Sequence, residues 1–262
     1  MRLISTDFDG TLIGFDSDGR CSSAFAEVLE QHHRNGGMWA INTGRSLEHA
    51  IEGFERFQAP VSPDFLLTTV REIYQCTAEG VWVSHGDWND NCVKRHAHLF
   101  SVAGNIFAMV QRMARDRDGI TILYEDDVPA GLVTTTEELM HEVVDVLDGM
   151  VSELPEFGYQ RNTVYLRFCH RDYHKGAALG ELCRLENIPA EEVLAAGDHF
   201  NDLSMLDGSY ARMTACPANA IEAVKNAVRE SNGYIAQACW ADGVAEAIHH
   251  YLSLRKISPA VA

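Results

Sequence analysis

The chain has 262 residues, 46% of them hydrophobic, with 38 acidic against 21 basic side chains and a formal net charge of −17. That length supports a large core or two domains, and scattered Lys and Arg on so acidic a chain exclude a nucleic-acid backbone as partner. Seven cysteines without a CxxC pair read as reduced thiols of a cytosolic protein; no apolar run approaches the ~20 residues of a membrane helix, and acid arrives too early for a signal peptide.

Residues 3–6 read as a buried strand that runs into two carboxylates, Asp7 and Asp9. Ser22 or Ser23 caps a helix with Phe25, Val28, Leu29 and His32 on one face, and Gly36-Gly37 stops it. Residues 38–41 form a second strand that ends at Asn42-Thr43-Gly44-Arg45-Ser46. A helix carrying Leu47, Ile51 and Phe54 follows, and after Pro60 and Pro63 the run 65–70 is a third strand. This alternation predicts a parallel, doubly wound α/β sheet, whose carboxyl edge is where ligands bind.

The rhythm changes near residue 75. Residues 81–83 are a short apolar run and 84–91 are polar and turn-rich. Ile106, Met109, Val110 and Met113 make a helical stripe; 120–124, 131–134 and 163–168 read as strands. Thr135-Thr136-Glu137-Glu138 is a capping box for a helix through Met140, Val143, Val144 and Leu147. Residues 79–169 are therefore expected to form an α+β domain inserted into a core made of 1–78 and 170–262.

A helix from Lys175 with Leu179, Leu182 and Leu185 restores the βα pattern. A strand at 193–196 then leads into Gly197-Asp198-His199-Phe200-Asn201-Asp202. A helix around Met205, a strand at 210–213, a helix at 219–228, the pair Tyr234-Ile235 and a helix at 244–254 complete the chain, with fraying expected from Ser258. Two acidic clusters at two strand ends make a site for a divalent cation and an anion. No GxxxxGK[ST], GxGxxG or H-E-x-x-H pattern occurs, so nucleoside-triphosphate, dinucleotide and zinc-protease sites lack support.

The segment from Asp7 to Leu12, then Thr43-Gly44-Arg45, Lys175-Gly176 and the segment from Gly197 to Asp202 resemble, in order, the four motifs of the haloacid-dehalogenase superfamily of phosphohydrolases. Asn219-Ala220 and Asp242-Gly243-Val244-Ala245 look like the C-terminal pattern of its Cof-type and sucrose-phosphatase-like branches. The insertion lies where one class of that superfamily carries its cap. The resemblance implies Asp7 as nucleophile and Asp9 as general acid and base. It also implies that Asp7, the main-chain carbonyl of Asp9, Asp198 and Asp202 hold Mg²⁺, a hard cation suited to oxygen ligands. Thr43 and the Gly44 N–H would hold a phosphoryl oxygen at a helix N-terminus, with Ser46 competing as the plain cap. Asn201 would bond the phosphoryl group or Lys175, and Lys175 would neutralise Asp7. Arg45 either steers phosphate or pairs on the surface. His199 and Phe200 replace small residues often found in their motif and read as tolerated variation.

A looser similarity to the sucrose-phosphatase-like branch covers Ser62-Pro63-Asp64, Glu72-Ile73, Trp82 and Trp88, although a glycine is usual near Val70. It nominates Glu72 and Trp88 as sugar contacts and leaves Trp82 to the cap core. Tyr124 with Glu125-Asp126-Asp127 is a second polar aromatic patch or a solvated loop. The expected protein is a cytosolic, Mg²⁺-dependent phosphomonoesterase for a small phosphorylated metabolite, a sugar phosphate, with neither nucleic acid nor membrane as partner. A phosphomutase or phosphotransferase, a broad-specificity Cof-type phosphatase and a phosphate-binding module without turnover are the alternatives; Asp9 argues against the last.

Overall fold

β1, Leu3–Thr6, is buried along its whole length. Such a strand lies in the middle of a sheet covered on both faces. The computed structural model describes residues 1–14, 18–125 and 127–257. Contact clustering divides the chain into two compact units, Met1–Asn89 with Lys175–Ala262, and Asp90–His174.

In the first unit α1 (Ser23–Arg34) and α2 (Leu47–Phe57) alternate with β2 (Met38–Asn42) and β3 (Phe65–Thr68), and β4 (Glu72–Cys76) and β5 (Trp82–Ser84) follow. In the second are α3, which starts earlier at Trp88 and runs to Val102, α4 (Gly104–Asp116), β6 (Ile120–Glu125), β7 (Val128–Thr134), α5 (Glu137–Met150), β8 (Phe157–Asn162) and β9 (Tyr165–His170). The first unit resumes with α6 (Lys175–Leu185), β10 (Val193–Ala196), the short α7 (Leu203–Leu206), β11 (Met213–Cys216), α8 (Glu222–Glu230), β12 (Tyr234–Ile235) and α9 (Trp240–Ile257).

The large sheet has the order β12-β11-β10-β1-β2-β3-β4-β5, parallel from β12 to β3 and antiparallel beyond. After β1 the chain builds outward through β2 and β3. It later returns to β10 and builds outward on the other side, so the order reverses between β1 and β10. Thr6 stands opposite both Ala196 and Ile41. The residues that follow these three strands therefore emerge side by side at one edge, the ligand-binding position of a doubly wound sheet.

Alternation along the strands feeds two apolar layers. Ile4, Ile41 and Leu66 pack with Phe25 and Leu29 of α1 and Val244 and Ile248 of α9. Leu3, Ala40, Phe65 and Leu67 pack with Leu179 and Leu182 of α6 and Val224 and Val228 of α8. Each such fully buried Leu, Ile, Val or Phe side chain contributes about 1.5–3 kcal/mol of transfer free energy. The Ser22 hydroxyl accepts the Phe25 N–H and starts α1, and Ser46 does the same for His49 in α2. The second unit has the antiparallel order β6-β7-β9-β8, with Ile106, Val110, Met140, Val143, Leu147 and Phe168 in its core.

Several boundaries differ from expectation. Residues 79–89 were placed in the insertion, yet β5 pairs with β4 in the large sheet, and the Trp88 Nε1–H donates to the Arg71 carbonyl at 2.6 Å. Residues 170–174 go with the second unit because β9 runs to His170. The polar stretch read as turns opens the 15-residue α3. β4 and β8 escaped notice because their sequences, Glu-Ile-Tyr-Gln-Cys and Phe-Gly-Tyr-Gln-Arg-Asn, are mostly half-buried and lack apolar alternation. β11 begins at Met213 rather than near Tyr210, and α9 begins at Trp240, where φ is +51°. Asp126 of the second aromatic patch and the terminal residues from Ser258 lie outside the described residues. Glu125 of that patch ion-pairs with Arg167. No helix of the described residues is long and apolar enough to cross a membrane.

Candidate active site

Asp7 is the first residue beyond β1, and its N–H still donates to the Ala196 carbonyl of β10 at 2.8 Å. The backbone of the nucleophile candidate is thereby locked to the strand that delivers Asp198. Gly10 has φ +88°, and a Cβ on it would lie 2.3 Å from Asp198 Oδ2. Only glycine allows both the turn and the close approach. The Thr11 hydroxyl then donates to Asp198 Oδ1 at 2.9 Å.

Lys175 at the start of α6 has no exposed surface. Its Nζ donates to Asp7 Oδ1 at 2.5 Å and to Asp202 Oδ1 at 2.6 Å. The buried Asn42 Nδ2 donates to the Lys175 carbonyl at 3.1 Å, fixing where α6 begins. Asp202 Oδ2 accepts from the N–H groups of Asp198 and His199, each at 2.9 Å. Asp202 thus ties the ammonium to the loop after β10. The His199 and Phe200 rings pack edge to face at 5.1 Å.

Carboxylate oxygens of Asp7, Asp198 and Asp202 lie within 4.8 Å of one another, all buried. The Lys175 ammonium bonds two of these three carboxylates. Burial, opposed by Lys175 and reinforced by Asp202, pushes the Asp7 carboxyl up to about 7. Burial, together with Asp7 and Asp202, pushes Asp198 up to about 8. Burial would lower the Lys175 ammonium, but Asp202 and Asp7 outweigh it and the net direction is upward. The surplus of negative charge among hard oxygen donors fits a divalent cation such as Mg²⁺.

Thr43 is buried, and its N–H is held by the Leu67 carbonyl at 2.8 Å. Its Oγ1 accepts the Arg45 N–H at 3.2 Å. A Cβ on Gly44 would meet nothing nearer than Val70 Cγ1 at 3.8 Å and Asn201 Nδ2 at 3.9 Å. A side chain on Gly44 would make ordinary van der Waals contact with Val70 and Asn201. Arg45 holds both oxygens of Asp9 and stacks over Phe8, its Cζ 4.9 Å from the ring centroid. Of its two predicted roles, neither anticipated this partner.

The remaining nominees make the following contacts. Glu72 Oε2 accepts from the hydroxyls of Tyr74 at 3.2 Å and Thr68 at 3.4 Å. Trp88 packs partly buried against the first unit's core, and Trp82 packs on Phe54 at 6.2 Å. One residue went unassigned: Asn219, whose Nδ2 donates to the Gly10 carbonyl at 2.7 Å and whose Oδ1 accepts the Trp240 N–H at 2.9 Å. Its only sequence signal was membership of the Asn219-Ala220 pair.

The model of the haloacid dehalogenase-like hydrolase family matches residues 62–248, and that of sucrose-6F-phosphate phosphohydrolase matches residues 1–102. The chain is 26% identical over 263 residues to a glucosylglycerol-phosphate synthase of Pseudomonas anguilliseptica, covering 97% of this chain and 31% of that one. It is 31% identical over 86 residues to a phosphoglycolate phosphatase of Picrophilus torridus, covering 33% and 34%. The chain thus spans about a third of the length of these two relatives. Among solved structures, the sucrose-phosphatase of Synechocystis in complex with sucrose and phosphate superposes with a TM-score of 0.71 at 21% identity, covering 96% of this chain and 98% of that one. A sugar phosphatase of haloacid dehalogenase subclass IIB gives 0.64 at 18% identity, covering 96% and 99%.

Proposed function

The chain belongs to the haloacid dehalogenase-like hydrolase family, and from that membership we propose that it is a Mg²⁺-dependent phosphomonoesterase whose substrate is a small sugar phosphate. The observation that carries the reading is the position of Asp7 at the carboxyl edge of the sheet, bonded to a fully buried Lys175 and grouped with Asp198 and Asp202. The sugar preference takes its support from a relative named for a glycosylated glycerol phosphate and a structural neighbour that holds sucrose and phosphate.

Asp7 attacks phosphorus, the ester P–O bond breaks, and the departing alkoxide takes a proton from Asp9. Asp9, now ionised, accepts a proton from a water as that water attacks the aspartyl phosphate. The bond from phosphorus to Asp7 breaks, and inorganic phosphate leaves. Lys175 keeps Asp7 in place and offsets charge that both steps concentrate there. The Thr43 hydroxyl, the Gly44 N–H and Asn201 hold the phosphoryl oxygens. Asp7, Asp198 and Asp202, with the main-chain carbonyl of Asp9, would hold Mg²⁺, which when bound neutralises charge between the carboxylates and the phosphoryl group.

The test is phosphate release from a panel of phosphorylated sugars and polyols, with Mg²⁺ or with EDTA, for the wild type and Asp7→Asn. Release that needs Mg²⁺ and falls by several orders of magnitude in Asp7→Asn is expected. Equal release by a purified Asp7→Asn protein refutes the assignment.

A further inference from the structure

β3 and β4 are joined at Thr69, Val70 and Arg71, with the Arg71 N–H donating to the Thr68 carbonyl at 2.9 Å. Thr69 has φ +51° and Val70 φ +63°. Positive φ at both central positions is the demand of a mirror-image hairpin turn, which Asn and Gly meet without strain. Here two β-branched residues meet it, and a β-branched residue at positive φ is a genuine outlier. The surroundings enforce it: the Thr69 N–H donates to the Arg45 carbonyl at 2.8 Å and the Val70 N–H to the Thr43 carbonyl at 3.1 Å. The tip is docked on the loop that presents Thr43 and Gly44, and Val70 is buried there.

A strained conformation held by its neighbours points to a role for the side chain it presents. The Val70 Cγ1 methyl and the Asn201 amide both lie within van der Waals reach of a Cβ placed on Gly44, at 3.8 and 3.9 Å. An apolar, branched wall beside two phosphoryl-binding groups leaves no hydrogen bond for a substrate and acts through shape. We propose that Val70 is a specificity residue that narrows the site beside the phosphoryl group, admitting phosphate esters of primary alcohols and rejecting those of secondary alcohols. The inference rests on the phosphomonoesterase reading. A primary ester places one carbon substituent on the carbon next to the ester oxygen; a secondary ester places two, and the second meets the valine.

Glycerol 1-phosphate and glycerol 2-phosphate differ only in this branching, so the experiment compares kcat/KM for the two, with methyl phosphate, which has no carbon on that position, as control, in wild type, Val70→Ala and Val70→Gly. Wild type is expected to favour the primary ester by about tenfold or more, as one misplaced carbon costs in a shaped pocket. The preference should shrink stepwise through Val70→Ala to less than about threefold in Val70→Gly, by a gain on the secondary ester. Glycine relaxes at positive φ, so Val70→Gly should keep a cooperative thermal transition. Equal wild-type rates on the two glycerol phosphates, or a ratio that neither variant changes, overturns the inference alone. Equal losses on all three esters overturn it too, by showing that Val70 only supports the fold. No phosphate release from any of the three by wild type with Mg²⁺ overturns the phosphomonoesterase reading and the inference with it.

Discussion

Arg45 donates to both carboxylate oxygens of Asp9, from Nε to Oδ2 at 2.7 Å and from Nη2 to Oδ1 at 2.5 Å. A two-point grip fixes the plane of a carboxylate as well as its position, and stacking on Phe8 fixes the guanidinium in turn. The Asp9 hydrogen bond also holds the Arg45 guanidinium pKa upward. Arg45→Met should therefore lower kcat by about 10- to 100-fold, as expected for a misoriented acid–base group, with a smaller change in KM. Arg45→Lys should recover little, because an ammonium cannot present the fork. Steady-state kinetics on one substrate settles it; an unchanged kcat in both variants would show that Asp9 needs no such orientation.

Lys175 is the counter-charge for a buried acidic cluster, so its removal should be felt in stability as well as in turnover. Lys175→Met leaves Asp7 and Asp202 buried and facing each other. Breaking a buried pair in this way costs about 3–5 kcal/mol, which for a chain of this size is a fall in Tm of roughly 6–20 °C. Activity should fall equally on sugar phosphates and on p-nitrophenyl phosphate, because the lysine serves the group they share. Thermal denaturation of the metal-free variant is the measurement. A Tm within 2 °C of wild type would mean that the carboxylates are not held as an ionic cluster.

The pH dependence has a definite sign. Asp7 near 7 and Asp198 near 8 both lie above the usual carboxylate value of 3.8. The folded state therefore binds more protons than the unfolded one between about pH 4 and pH 8, and stability falls as pH rises through that window. Asp7→Asn mimics the protonated acid. In EDTA it should have a higher Tm than wild type at pH 8 and be nearly level with it at pH 4. Adding Mg²⁺ at pH 8 should raise the wild-type Tm, since a ligand of the folded state stabilises by mass action, and raise that of Asp7→Asn less. A wild type more stable than the variant at pH 8 in EDTA would contradict the charge surplus.

The acidic loops were legible because each follows a short stretch that begins apolar and is long enough for one buried strand. Asp7 follows Leu3-Ile4-Ser5-Thr6, and Asp198 follows Val193-Leu194-Ala195-Ala196. Their meeting depends on β1 pairing with β10 across 190 residues of chain, which the doubly wound pattern implies and local sequence does not. What a long side chain reaches was not legible. Arg45 left two readings open, and neither was Asp9. Trp88 sat among polar residues and suggested a sugar contact; the bond that its N–H makes to the Arg71 carbonyl was not legible. Nothing local to Trp88 reveals that β4 and β5 extend the sheet. The turn at Thr69 and Val70 was legible only as a missing glycine; its strain is visible in backbone angles alone.

Asn219 offers the last test, because its two hydrogen bonds separate by chemistry. Its Nδ2–H donates to the carbonyl of Gly10, the residue that lets Asp198 approach, and its Oδ1 accepts from Trp240 at the start of α9. Asn219→Asp keeps the acceptor for Trp240 and removes the donor for Gly10, bringing a carboxylate against a carbonyl. Asn219→Ala removes both. A part-buried group left unpaired costs about 1–3 kcal/mol. If Asn219 serves only to anchor α9, Asn219→Asp should behave as wild type and Asn219→Ala should lose stability alone. If it holds the loop after Asp9 in register, Asn219→Asp should lose about tenfold or more in kcat while keeping most of its Tm, and its apparent Mg²⁺ requirement should rise because Gly10 no longer seats Asp198. Paired kcat and Tm measurements across a Mg²⁺ titration distinguish the two. The place of the Gly10 contact, between Asp9 and the Thr11 hydroxyl that donates to Asp198, favours the second outcome.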